Sequence, residues 1–287
     1  MTDILTLRDL GPEAVQEILA LSERDDIGTP LAGGGVALYF AKPSARTRNS
    51  MEMAVVQLGG HPVYIQAEEV GLGPRETAED IARTLACYHR IIAARVLDHD
   101  HLTCMASAAN VPVVNLLSDS DHPLQGLADL FTIRQLVGRL EGARIAFVGD
   151  GNNNVARSLA EGCAMTGAEL VIASPEEFQL AAPPEGVRQV VSPAEAVKGA
   201  QIVYTDVWVS MGQAEETARR NAALAPYQVD EALMALSDDA WFMHCLPARR
   251  GEEVDAHVID GPRSAVWRQA ENRMHTARGA LAWVAGP

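Results

Sequence analysis

The sequence predicts an α/β protein of two domains, each a mainly parallel sheet flanked by helices. Short apolar runs alternate with helical patterns along almost the whole chain, and such alternation specifies parallel strands with helices on both faces. A polar, glycine-containing stretch, Gly138-Arg139-Leu140-Glu141-Gly142, breaks that alternation near its middle and reads as a domain boundary. The length of 287 residues fits one large domain or two of ordinary size, and the predicted strands divide more readily over two sheets than one.

In order along the chain, helical periodicity marks Pro12–Ser22, and the first apolar run, Val36–Phe40, empties into a loop before a helix over Arg48–Leu58. Strand runs follow at Val63–Ile65, Ile91–Ala94 and Val111–Asn115, separated by helical patterns at Glu76–Cys87 and Leu102–Ala109. Pro123 opens a helix running to Val137, where a first-turn proline loses no hydrogen bond. Beyond the boundary come strands Arg144–Val148, Leu170–Ala173, Val187–Val191, Gln201–Tyr204 and Trp241–His244. Helices are predicted at Val155–Thr166, Val229–Leu236 and Trp267–Val284. Ser174–Gly186, with Pro175, Pro183 and Pro184, has room for little more than a turn or two of helix, although parallel neighbours usually need about a dozen residues of crossover.

Composition narrows the function. A net charge of −15 argues against nucleic acid or an anionic membrane as partner. No apolar run reaches the length of a membrane span and no signal-like segment opens the chain. Cys87, Cys104, Cys163 and Cys245 show neither paired nor zinc-type spacing, so a reduced, cytoplasmic protein is expected. His99-x-His101 has no accompanying ligand cluster and reads as an exposed helix start.

Against that acidic background, Lys42-Pro43-Ser44-Ala45-Arg46-Thr47-Arg48 stands out. Two hydroxyls, three cations and a helix N-terminus suit an anion of phosphate size. An ordinary capped helix start is the competing reading. Four further strand ends carry polar residues. Asp119-Ser120-Asp121-His122-Pro123-Leu124-Gln125 places a histidine where open α/β sheets bind ligands, with Gln125 one turn along; a backbone cap is the alternative. Gly149-Asp150-Gly151-Asn152-Asn153-Asn154 resembles a dinucleotide turn, but Asn154 replaces the third glycine and Ala173-Ser174-Pro175 replaces the expected acid. Asp206 in Thr205–Gln213 suits a ligand ammonium, with Ser210 and Met211 for its carboxylate; the alternative is a helix cap beside a buried Trp208. In Met243-His244-Cys245-Leu246-Pro247 the cysteine reads either as an activated thiol or as a buried structural residue.

Taken together and in order, Ser44–Arg48, His122–Gln125, Asp206–Gly212, His244–Pro247 and Glu271-Asn272-Arg273 resemble the aspartate/ornithine carbamoyltransferase family over nearly the whole chain. The Asp-x-x-x-Ser-Met-Gly element is similar to the ornithine-specific branch. The resemblance implies a carbamoyl-phosphate-binding domain over 1–138 plus 267–287, with the final helix returning to it, and an ornithine-binding domain over 139–266. It implies that Ser44, Ala45, Arg46, Thr47 and Arg273 hold the phosphate and that Arg95, His122 and Thr47 polarise the carbamoyl carbonyl. Gln125 holds the carbamoyl amide, with Cys245 and Leu246 beside the reacting centre. Asn153, Asp206, Ser210 and Met211 match ornithine-binding positions, and Arg95, His122, Asp206 and Cys245 form the implied catalytic set. The implied reaction gives citrulline and phosphate without metal or organic cofactor, by a homotrimer or a multiple of it, in arginine biosynthesis or, in the other direction of metabolism, arginine breakdown. The chain departs from the pattern at Ala45, Gly71, Arg249 and the short 174–186 crossover. A carbamoyltransferase using another amine, a nicotinamide-dependent oxidoreductase and a non-catalytic relative are the rival readings.

Overall fold

The computed structural model describes residues 2–209, 216–237 and 239–286. The chain forms two compact units, Met1–Ala128 with Asn272–Pro287, and Asp129–Glu271. It passes between them inside two continuous helices, α6 and α12 below.

The first unit contains α1 (Leu7–Glu23), β1 (Gly35–Phe40), α2 (Ala45–Gln57), β2 (His61–Gln66), α3 (Ala67–Val70), α4 (Ala78–Ala86), β3 (Ile91–Arg95), α5 (His99–Ala108), β4 (Val113–Leu117) and the start of α6 (Pro123–Val137). All pairs in its sheet are parallel, in the order β2-β1-β3-β4. The central strands β1 and β3 are buried almost throughout because helices cover both faces, which is why they read as unbroken apolar runs. Tyr39, Ile92, Ala94, Ile81, Leu102 and Met105 share one core cluster. The break at Gly11 (φ 76°) sets Pro12 at the head of the longer part of α1. That helix receives the chain's last one: at Gly279 a Cβ would collide with Ser22 Oγ and the Ile18 carbonyl, so only glycine allows the approach. Trp283 Nε1 donates to Glu17 Oε2 at 2.8 Å, and Arg278 Nη2 donates to the Arg24 carbonyl at 2.6 Å.

The second unit holds β5 (Arg144–Val148), α7 (Asn154–Thr166), β6 (Glu169–Ala173), β7 (Arg188–Val190), α8 (Pro193–Val197), β8 (Ile202–Tyr204), α9 (Thr217–Leu224), α10 (Glu231–Met234), β9 (Trp241–Met243), α11 (Ala256–Ile259) and most of the first turns of α12 (Val266–Ala285). Its sheet is parallel, ordered β7-β6-β5-β8-β9. Between β6 and β7 the prolines leave a single 3₁₀ turn, Glu176–Phe178, as expected. Phe242, Val203, Ala146 and Trp208 lie in the core cluster of this unit.

Strand order reverses between β1 and β3 in the first sheet and between β5 and β8 in the second. Loops at the carboxyl ends of strands diverge at such points and leave a crevice for ligands. Three of the polar motifs follow β1, β5 and β8 at these points, and the other two follow the neighbouring strands β4 and β9.

Candidate active site

At the first switch point, β1 and β3 run in register to Phe40 opposite Arg95. A register shift between Ala94 and Arg95 re-aims the last residue of β3. Arg95 is only 7% exposed, and burial together with the charges of Arg273 and Arg46 pushes its pKa down to about 10. It therefore remains a cation at neutral pH while being stripped of water, the state in which a donor acts most strongly on developing negative charge.

After β1, Ser44 occupies the N-cap position of α2 but makes no side-chain bond to the helix backbone. Its hydroxyl donates to Thr47 Oγ1 at 3.2 Å instead. That departs from the capped-start reading. Ala45 and Arg46 are exposed and Thr47 is buried. Arg48 does not converge with the others: its guanidinium lies 3.9 Å from the Tyr64 ring centroid and donates to Glu52 at 2.7 Å.

His122 precedes α6, with its carbonyl accepting from Gln125 and Gly126 N–H at 3.0 and 3.1 Å. A buried loop network fixes the approach: Asp121 N–H donates to Ser118 Oγ at 3.1 Å, and Asn115 Nδ2 donates to the Leu5 carbonyl at 2.9 Å. Burial, then Arg273 and Arg95, hold the His122 imidazole well below its ordinary pKa. It is a neutral ring among cations, able to donate one hydrogen bond without being an acid. Arg273, from α12, completes the group. Its Nη1 donates to Gln125 Oε1 at 2.6 Å and its Nη2 to Thr47 Oγ1 at 3.3 Å. Thr47, Gln125 and Arg273 are thus brought together by hydrogen bonds, and Arg95, His122 and Arg46 join them through shared electrostatics.

The second unit holds Asp206 and Cys245. Cys245 Sγ donates to Asp206 Oδ1 at 3.1 Å, while Val207 N–H donates to the same oxygen at 2.8 Å. Burial raises the Asp206 pKa, opposed chiefly by His244 and by the thiol. His244 does not activate the thiol. Its Nδ1 accepts from Leu246 N–H at 2.9 Å, leaving Nε2 to donate to Glu253 Oε1 at 3.1 Å. Leu246, at φ 61° before a cis Pro247, forms the turn that this ring braces. Asn153 caps α7, its Oδ1 accepting from Ala156 N–H at 2.7 Å and its Nδ2 donating to the Asp150 carbonyl at 3.0 Å. Ser210 and Met211 lie outside the described residues.

Among the described residues, Asp206, His244 and Cys245 place three potential metal-ligand atoms within 4.8 Å of one another. The bonds above already use them: the thiol is on Asp206 and the imidazole lies between Leu246 and Glu253. Binding a cation there would require breaking that set.

Three features were not read as site residues. Asp150 and Arg220 form a buried ion pair seventy positions apart in sequence. Glu253, fully buried, accepts from His244 and from Arg249 N–H at 2.6 Å. Behind β9, Gln269 joins Asp129, Tyr204 and the His244 N–H in one network, with Oε1 accepting from His244 at 2.9 Å. Only the acid within Gly149-Asp150-Gly151 carried a local signal. Those glycines serve turn geometry and packing: Gly149 has φ 127°, and a Cβ at Gly151 would stand 3.1 Å from the Phe178 carbonyl.

Parallel α/β units with buried donors at one switch point and a carboxylate–thiol pair at another define a group-transfer enzyme. The chain belongs to the aspartate/ornithine carbamoyltransferase family: residues 2–135 match its carbamoyl-P binding domain and residues 141–284 its Asp/Orn binding domain. It is 46% identical to an ornithine carbamoyltransferase of Hyperthermus butylicus, across 99% of this chain and 98% of that protein. It is 43% identical to one of Pyrococcus furiosus named as anabolic, across 99% and 96%. A solved structure of a Pyrococcus furiosus ornithine carbamoyltransferase superposes with a TM-score of 0.92 at 42% identity, covering 98% of this chain and 96% of that one.

Proposed function

We propose that this chain transfers the carbamoyl group of carbamoyl phosphate to the δ-amine of L-ornithine, giving L-citrulline and phosphate. The observation that carries the reading is the Arg273 fork on Gln125 and Thr47, which unites three sequence-distant motifs in one donor-rich cradle. Carbamoyl phosphate is assigned to Met1–Ala128 with Asn272–Pro287, and ornithine to Asp129–Glu271.

Ser44, Arg46, Thr47 and Arg273 receive the phosphate oxygens, with the α2 N-terminus supplying further donors at Ala45. Arg95 and His122 donate to the carbamoyl oxygen, and Gln125 orients the carbamoyl amide. Cys245 and Leu246 are assigned to the carbamoyl group on their motif alone. Asn153 and Asp206 bind the α-amino end of ornithine, and Ser210 with Met211 its carboxylate. The neutral δ-nitrogen attacks the carbonyl carbon, a C–N bond forms, and the oxygen takes negative charge. Arg95, as a dehydrated cation, and His122, as a neutral donor, stabilise that oxyanion; one such donor is typically worth about 10²–10³ in rate. Collapse breaks the C–O bond to phosphate, which accepts the proton released by the amine. A free alkyl amine has a pKa of about 10.4, so the site must bind the neutral form, and Asp206 with Cys245 is the region to which we assign that task.

An amine-acceptor panel with carbamoyl phosphate, read as ureido product, tests the reading. Strong preference for ornithine is expected; comparable turnover of aspartate or putrescine overturns it. A homotrimer or a multiple of it, a cytoplasmic site of action and a role in arginine biosynthesis complete the proposal. Support for the last is the anabolic name of the Pyrococcus furiosus relative. No helix among the described residues is long and apolar enough to cross a membrane.

A further inference from the structure

Arg220 lies near the middle of α9, yet it is only 5% exposed. A buried arginine is costly unless its donors are used. Here they are used on three different strand-end loops. The guanidinium pairs with the Asp150 carboxylate in the loop after β5. Its Nε donates to the Trp208 carbonyl, at 2.7 Å, in the loop after β8. Its Cζ sits 4.6 Å from the ring centroid of Phe178, in the turn after β6.

β5 and β8 flank the switch point of this sheet, and their loops carry Asn153 and Asp206. Asn153 is bonded to the Asp150 carbonyl at 3.0 Å, and Asp206 stands two residues before Trp208. We propose that Arg220 is a positioning residue for the acceptor substrate, a cross-link that sets the separation of Asn153 and Asp206 without touching the ligand. This rests on the assignment of Asn153 and Asp206 to ornithine binding.

Two further observations fit that role. Other bonds hold these loops at their roots and on the far side, and Arg220 bridges them further along, at Asp150 and Trp208: Thr205 Oγ1 donates to the Val148 carbonyl at 2.6 Å, Gly151 N–H donates to Ser174 Oγ at 3.2 Å, and Ser174 Oγ donates to the Phe178 carbonyl at 2.9 Å. Asp150 is also held by its neighbours' charges: burial and Asp206 raise its pKa to about 6, while Arg220 opposes the rise. The guanidinium thus offsets part of the cost of burying the Asp150 carboxylate.

Steady-state kinetics of the full chain, wild type against Arg220→Gln, Arg220→Lys and Asp150→Asn, decide the matter. Displacing substrate-binding groups by a fraction of an ångström weakens binding steeply, so the KM for ornithine is expected to rise at least about 10-fold in Arg220→Gln, with the KM for carbamoyl phosphate within about twofold. Lysine keeps the charge but cannot fork to the Trp208 carbonyl, so Arg220→Lys should fall between the two. A fall in kcat alone, or equal rises in both KM values, overturns the proposal and leaves a structural role only. Hydrogen–deuterium exchange without substrate provides the independent arm: faster exchange confined to 149–154 and 205–209 is expected in Arg220→Gln, and unchanged exchange there overturns the cross-link. Should Arg220→Gln fail to fold, Asp150→Asn, which keeps an acceptor, carries both readouts with the same split expected. A wild-type protein that makes no citrulline refutes the ornithine reading, while the exchange data still decide whether Arg220 ties the loops.

Discussion

Arg273 Nη1 donates to Gln125 Oε1 at 2.6 Å, and that bond fastens α12 to the start of α6 within the first unit. The same guanidinium reaches Thr47 on α2 and presses the His122 pKa downward. One side chain near the end of the chain therefore sets both the shape and the charge of the cradle. Replacing it with glutamine should lower kcat/KM for carbamoyl phosphate by about 10²-fold or more, as loss of a charged donor does. Lysine should recover only part, lacking the planar fork. Removing the cation should also bring the His122 titration, followed by NMR, back toward the ordinary histidine range. No movement of that titration would sever the proposed coupling.

His122 gives a stability prediction with a definite sign. Folded, the buried imidazole resists protonation; unfolded, it binds a proton below its ordinary pKa of about 6.5. The unfolded state then holds more protons, so this group's contribution is intact above pH 6.5 and is lost as pH falls, with a slope approaching about 1.4 kcal/mol per pH unit. Asp150 acts oppositely, because its raised pKa of about 6 favours the folded state on acidification. Urea unfolding of wild type and His122→Asn between pH 7.5 and 5 separates the two: the wild type should lose stability more steeply than the variant. Parallel slopes would mean that the ring is not buried neutral.

Cys245 donates its thiol hydrogen to Asp206, and His244 is engaged elsewhere, so the residue is arranged as a donor and not as a nucleophile. Incubation with carbamoyl phosphate alone should leave no carbamoyl adduct on Cys245 by intact-mass analysis. Cys245→Ser keeps a donor and should cost at most about 10²-fold in kcat, against the roughly 10⁶ typical of a deleted nucleophile.

The expected strands lie within about two residues of those observed, because the inner strands of both parallel sheets are buried on both faces and so appear as compact apolar runs, while the edge strands β2 and β7 are only partly buried. The helix Pro123–Val137, opened by a proline and followed by Gly138, was legible to the residue although it is buried around most of its circumference. The four-residue helices Ala67–Val70 and Ala256–Ile259 were not, since one turn is too short to show a period. The same limit applies to the site. Motifs following a strand were visible as local patterns, but the Asp150–Arg220 pair joins residues seventy positions apart and depends on sheet order. Side-chain direction was also hidden: the competing reading of the loop expects a capped start, yet Ser44 bonds Thr47, and Arg48, one of the loop's three cations, is turned onto Tyr64 and Glu52.

Gly151 supplies a packing prediction. A methyl there would lie 3.1 Å from the Phe178 carbonyl and inside contact distance of Ile172 Cγ2, and backbone cannot yield as a flexible side chain would. Gly151→Ala should destabilise by about 1–3 kcal/mol, the usual cost of overpacking. A melting temperature equal to the wild type's would show that the β6 turn relaxes freely.

The two arginines of Ser44-Ala45-Arg46-Thr47-Arg48 should separate cleanly. Arg46 is exposed, yet its charge reaches Arg95 and helps to lower that residue's pKa, which puts it at the rim of the cradle. Arg48 is turned along α2, stacked on Tyr64 and paired with Glu52 four residues on, and an exposed pair of that kind contributes little. Arg46→Ala should therefore abolish most carbamoyl-phosphate binding in calorimetric titration while leaving the circular dichroism spectrum unchanged. Arg48→Ala should shift the same affinity by less than about threefold, the scale of a screened surface charge. If the two variants lost binding equally, the anion would be gathered by the net charge of the loop, and the distinction drawn here from side-chain direction would fail.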